Sequence, residues 1–119
     1  MSERRTGSGC LFCRVVAGEL PAAVVHETDR VVAFRDLAPA APVHVLVVPR
    51  EHHATAEALA DADPALLADV LAGAVAVARA EGLDSGYRLV VNTGDDAGQS
   101  VHHLHVHVLG GRGLAWPPG

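Results

Sequence analysis

The segment Gln99-Ser100-Val101-His102-His103-Leu104-His105-Val106-His107-Val108-Leu109 decides how this chain is read. From position 103 onward histidine alternates with aliphatic residues. A strand repeats its side-chain direction every two residues, so His103, His105 and His107 share one face. Leu104, Val106 and Val108 take the other, and β-branched neighbours favour a strand. In a helix, residues two apart point roughly 200° apart, so the three rings would not converge. The alternation predicts a strand over 103–109 whose imidazoles sit about 6.5–7 Å apart. A single histidine on a strand is ordinarily a polar residue on a wet face. Three on one face, after a Gly98-Gln99-Ser100 loop, point to phosphate chemistry or to a metal. Neutral imidazole is both a competent nucleophile and a metal ligand.

Outward from this strand, four further strands are expected. Residues 23–27 and 31–35 flank a Thr28-Asp29-Arg30 turn and read as a hairpin. A third strand, 43–48, follows the Pro-rich connection Asp36-Leu37-Ala38-Pro39-Ala40-Ala41-Pro42 and stops at Pro49. A fourth covers 87–92. Asp63-Pro64 opens one long helix, with Asp as N-cap and Pro at the first helical position. Leu66, Leu67, Val70, Leu71, Ala74, Val75 and Ala78 repeat at helical spacing, and Gly82 closes it. Leu11 to Val16 make a short helix before Gly18 and Pro21. The expectation is an α+β fold: a five-stranded antiparallel meander sheet with one long and one short helix on it.

The chain has 119 residues, half of them hydrophobic, which fits one domain with a real core. Aromatics are only 3%, so Val, Ala and Leu must build that core. The net charge is −5 and every basic side chain is Arg, so no basic stripe supports nucleic-acid binding. Residues 1–8 read as a disordered arm, and the polar start has no apolar core of a secretory signal. The longest apolar stretch, 65–78, is interrupted by Asp69 and too short for a bilayer. A soluble cytoplasmic protein without membrane or nucleic-acid partners is expected.

Cys10 and Cys13 are spaced C-x-x-C. In a reducing compartment this spacing favours metal or redox chemistry over a structural disulfide, and two thiolates supply half of a tetrahedral zinc site. Asp36 reads on its own as a turn-former before a Pro-rich loop, Asn92 as a strand-ending turn residue, and Asp95 and Asp96 as a solvated loop.

His103-Leu104-His105-Val106-His107-Val108-Leu109 matches the histidine triad pattern, and the chain resembles the histidine triad (HIT) family from Leu11 onward. Residues 36–44, Val90-Val91-Asn92, Gly98-Gln99-Ser100-Val101 and Gly110-Gly111-Arg112 resemble the family's flanking segments. The ending Trp116-Pro117-Pro118-Gly119 looks like its Hint branch in particular. The resemblance implies a single HIT-like domain over 9–119 whose sheet joins a second copy's across a homodimer. It implies a hydrolase that binds purine nucleotides (AMP or GMP) and cleaves nucleoside phosphoramidates at the P–N bond. His105 would attack the α-phosphorus to form a nucleotidyl-histidine, with His107 and His44 around the phosphate and Ser100 as donor to the leaving amine. Gly98 and Gln99 would hold phosphate oxygens, Asp36 the ribose hydroxyls and Asn92 the ribose or phosphate side. Leu37 and Phe12, with Leu11, Val15 and Phe34, would form the base slot. Trp116 would reach the partner's site. Many Hint-branch proteins lack the two cysteines, but some bacterial histidine triad proteins and the related nucleotidyl transferases carry a structural zinc, which here implies Cys10, Cys13, His52 and His103 as ligands. Alternatives are a dinucleoside polyphosphate hydrolase, a nucleotide-binding scaffold with vestigial activity, and a zinc hydrolase built on H-x-H.

Overall fold

The computed structural model describes residues 9–119; the expected arm, residues 1–8, lies outside the described residues. In chain order the elements are α1 (Leu11–Val16), β1 (Val24–Glu27), β2 (Val31–Arg35), β3 (Val43–Pro49), α2 (Ala56–Ala62), α3 (Pro64–Ala80), β4 (Tyr87–Val91) and β5 (Val106–Gly110). A single 3-10 turn, Asp95–Ala97, lies between β4 and β5.

The five strands form one antiparallel sheet in the order β1-β2-β3-β5-β4. The fold class is α+β as expected, with two differences of detail. The last strand does not follow a plain meander but inserts between β3 and β4, where both its edges are paired. There are three helices among the described residues, because residues 56–62 also coil. Thr55 caps this extra helix by accepting the Ala58 N–H at 3.0 Å. Its one buried anchor, Leu59, packs with Leu66 and Leu104. A single large apolar residue among alanines and acids leaves no periodicity to read, so the sequence pattern did not mark this helix. Asp63 closes α2 and opens α3, accepting the Leu66 N–H at 3.1 Å, with Pro64 beside it. At the far end Gly82 adopts φ +72°, the left-handed turn that stops α3.

Alternation along β2, β3 and β5 sends side chains to two differently covered faces. Val31, Ala33, Val45, Val47, Val106 and Val108 pack under Val70, Ala74, Val77 and Ala78 of α3. Val32, Phe34, Leu46 and Val48 meet Cys10, Phe12 and Cys13 on the opposite face. On that second face His107 stands directly across from Leu46 of β3 and Val90 of β4. The short α1 covers only part of this face, and the histidines occupy the remainder.

Candidate functional site

The histidine row is where alternation predicts it, but the ladder begins only at Val106. His103 and His105 precede the strand, held by other bonds. The Leu104 N–H donates to the His53 carbonyl at 2.7 Å. The rings still fall on one side: His105 and His107 are 5.0 Å apart at their centroids, and the Phe12 ring is edge-on to both His105 (5.0 Å) and His103 (6.1 Å).

Each ring has one nitrogen assigned by a partner, which fixes the character of the other. A carbonyl can only accept. The Nδ1–H of His105 therefore donates to the His103 carbonyl at 2.8 Å, and its Nε2 keeps a lone pair. The Nε2–H of His103 likewise donates to the Pro49 carbonyl at 2.9 Å, leaving its Nδ1 unprotonated. The Ala40 N–H donates to His44 Nδ1 at 2.9 Å, so the His44 proton sits on Nε2 and is donated to His107 Nδ1, also at 2.9 Å. His107 then carries its own proton on Nε2. Burial, then the neighbouring His105 and His44, push the His107 pKa down to about 4, against the opposing pull of Asp36. Burial above all drives fully buried His103 to about 4 as well, opposed by the Pro49 carbonyl. Both rings are neutral near pH 7.

A cavity of ≈ 300 Å³ opens over His105 and His107. Phe12, Leu11, Val15, Phe34, Asp36, Leu37 and Ser100 line it, together with Leu46, Val101, Pro21, Ala22, Arg35 and Ala38. An apolar slot thus ends in two imidazoles, a hydroxyl and a carboxylate, the composition of a small-molecule site. A larger hollow of ≈ 530 Å³ between Gly82 and Leu114 contains none of the histidines and no acid. The candidate reactive groups line the smaller one.

Asp36 serves as the turn-former and also faces this cavity. Its Oδ1 accepts the Ala38 N–H at 2.8 Å, and its Oδ2 lies 3.4 Å from His44 Nε2. Gln99 behaves differently from its assigned phosphate role. Its buried amide accepts the Gly94 N–H at 3.0 Å and donates to the Ala54 and Val101 carbonyls at 2.7 and 3.1 Å. With both amide protons engaged it holds the loop in shape, and Ser100 is the neighbour that faces the cavity. Asn92, Gly98 and Trp116 do not line the cavity of their own chain, and Trp116 is 81% exposed. The backbone groups of Pro49 and Ala40, which orient two of the rings, carry no side-chain signal that a sequence could display.

The second constellation joins α1 to the row. The Sγ of Cys10 lies 3.3 Å from His103 Nδ1; the Sγ of Cys13 lies 3.5 Å from that atom and 3.2 Å from His52 Nδ1. All four donor atoms fall within 4.8 Å of one another, and neither cysteine is in a disulfide. Tetrahedral zinc with Zn–S of about 2.3 Å and Zn–N of about 2.0–2.1 Å needs S···N edges of about 3.5 Å. The donor set and spacing fit that ion. The Pro49 carbonyl supplies the outer bond that orients a ligating imidazole. Among the described residues, Asp36, His44 and His107 form a second cluster with donor atoms this close. Its His44–His107 N···N distance of 2.9 Å is shorter than the roughly 3.3 Å tetrahedral edge implied by the same Zn–N lengths. A shared proton, not a metal, belongs there.

The sheet, the histidine row and its flanking cavity agree with the comparisons. The HIT domain model matches residues 17–114, so the chain belongs to the HIT family. An uncharacterised HIT-like protein of Synechococcus elongatus is 50% identical over 109 residues, which is 92% of this chain and 96% of that protein. The crystal structure of a HIT family hydrolase from Legionella pneumophila Philadelphia 1 superposes with a TM-score of 0.89 at 50% identity, covering 93% of this chain and 100% of that one. A histidine triad nucleotide-binding protein from Candida albicans gives 0.78 at 31% identity, covering 92% and 83%. No helix among the described residues is long and apolar enough to cross a membrane.

Proposed function

We propose that this HIT protein is a purine nucleotide-binding hydrolase that cleaves nucleoside phosphoramidates through a nucleotidyl-histidine on His105. One observation carries the reading: the His103 carbonyl ties down His105 Nδ1–H, so the Nε2 lone pair is available beside an apolar cavity. The nucleophile is then ready without any proton removal. The names of the Legionella and Candida neighbours, a hydrolase and a nucleotide-binding protein, support the class of reaction and ligand.

In this mechanism the base occupies the slot between Phe12, Leu11, Val15, Phe34 and Leu37. The remaining Asp36 lone pairs accept the ribose hydroxyls. His105 Nε2 attacks the α-phosphorus and the P–N bond breaks, with the Ser100 hydroxyl passing a proton to the departing amine. The His107 Nε2–H donates to a phosphate oxygen, its direction set by His44. Water then attacks the phosphorus of the phosphohistidine and releases AMP. The Gly98–Ser100 backbone would shape the phosphate edge.

Cys10, Cys13, His52 and His103 would hold a structural zinc. Four protein ligands complete a tetrahedron and leave no position for a reactive water, which speaks against a zinc hydrolase. The zinc would fix α1 against the row and supply no reacting group. A homodimer would pair along β4, an open sheet edge with exposed Tyr87 and Val91, and would bring Trp116 to the partner's cavity.

His105→Ala is expected to lower turnover of an adenosine phosphoramidate by at least about 10³-fold, as for loss of a covalent nucleophile, with AMP still bound. Rapid-quench mass spectrometry of the unsubstituted protein should find the nucleotide on His105. Full activity in the variant would end the covalent mechanism.

A further inference from the structure

Helix α1 does two things within six residues. Cys10 is its N-cap, accepting the Cys13 N–H on Sγ at 3.3 Å, and both thiols reach the His52–His103 cluster. Between them Leu11 and Phe12 form a wall of the nucleotide cavity, and the Phe12 ring touches the nucleophile's ring edge-on. So short a helix does not hold itself together in water. Its position depends on the packing of Phe12 and the cysteines against the sheet and on the shared thiol–imidazole cluster.

These are the only two thiols in the chain, and the single methionine is Met1. The nucleophile is an imidazole, which mild peroxide leaves intact, so thiol oxidation acts on nothing else in the mechanism. Cys10 borders a surface cavity of ≈ 420 Å³ shared with His52, Ser100 and His102, which gives a small oxidant a route to the sulfur.

We propose that Cys10 and Cys13 form a redox-operated latch on the nucleotide cavity, opened by a hydroperoxide. The proposal rests on the zinc and nucleotide readings above. One thiolate attacks the peroxide and cleaves its O–O bond, forming a sulfenic acid; the distal oxygen takes a proton and leaves as water or alcohol. The second thiolate displaces hydroxide from that sulfur and the Sγ–Sγ bond forms; the hydroxide takes a second proton and leaves as water. The pair loses two electrons and the peroxide gains two. Zinc, deprived of both anionic ligands, departs as the hydrated dication with its oxidation state unchanged. Without that tether α1 loosens, and Leu11 and Phe12 no longer present a fixed wall to the base. A dithiol reductant and zinc restore the closed latch.

The test uses the full-length zinc-loaded protein titrated with hydrogen peroxide. Four signals are read together: zinc released to a chromogenic chelator, loss of two hydrogens by mass, hydrogen exchange across Leu11–Val16, and AMP affinity by calorimetry. Zinc release should track disulfide formation. Exchange across α1 should accelerate, and AMP binding should weaken by about tenfold, the scale of one lost aromatic contact. Dithiothreitol with Zn²⁺ should reverse all four. The AMP affinity of Cys10→Ala/Cys13→Ala should not respond to peroxide. Protein that binds no zinc when reduced overturns the metal reading and the latch together. Protein that binds no AMP when reduced overturns the nucleotide reading, while the exchange signal still judges the latch. Zinc that survives oxidation, or leaves with α1 exchange unchanged, overturns the latch alone.

Discussion

The two ends of the histidine row use the same side chain in opposite ways. At the start, His103 is sealed from solvent; its Nε2–H is tied to the Pro49 carbonyl and its Nδ1 lone pair faces two sulfurs. At the end, His107 has its Nδ1 occupied by the His44 proton and offers an N–H to a cavity. His105, between them, offers a lone pair to that same cavity. In the proposed reading, one side of this segment thus provides a metal ligand, a nucleophile and a donor. The difference lies in which backbone or side-chain group meets the second nitrogen of each ring.

The metal end is expected to show the larger effect on stability. Chelation of zinc-loaded protein should cost about 4 kcal/mol at zinc levels near 1,000 times the dissociation constant, read as a drop in thermal midpoint. A midpoint unmoved by chelator would break the division of the row.

Acid sharpens the comparison in a different way. In chelated protein, the pKa values of His103 and His107 are depressed to about 4 from the unfolded 6.5. The unfolded chain then binds more protons than the folded one between those values. Stability should be fully present above about pH 6.5 and fall on acidification toward about pH 4, with each ring contributing a slope of up to about 1.4 kcal/mol per pH unit. Urea melts across this range check the sign; with zinc bound, the His103 share should persist and extend below about pH 4, because its Nδ1 is closed to a proton in the folded state while the unfolded ring still titrates.

The smallest effect belongs to His44→Ala. It frees His107 Nδ1, so the His107 proton is no longer confined to Nε2. Turnover should fall by roughly tenfold to a hundredfold, as for loss of an orienting partner, while zinc content stays constant. A variant that lost zinc instead would show that the two ends are not separable.

Much of this was legible without coordinates. Alternation placed the three imidazoles on one face, Asp63-Pro64 and the Leu/Val spacing marked α3, and C-x-x-C named half of the cluster. Residues 56–62 were missed because one leucine is not a pattern. The family resemblance assigns Gln99 to the phosphate, and an amide in a Gly-bearing loop can face either way. Only the positions of the Ala54 and Val101 carbonyls show that it turns inward. The strand expected from 103 begins at Val106, since alternation records the direction of side chains and not where the backbone finds a ladder partner.

The sequence by itself determined the sheet class, the shared face and the residue types of both clusters, because periodicity and spacing are local properties of the chain. Tertiary structure decided which nitrogen each histidine presents. That choice depends on carbonyls at Pro49 and His103 and on the N–H of Ala40, groups every residue type possesses and whose positions arise only when β3, β5 and their loops pack together.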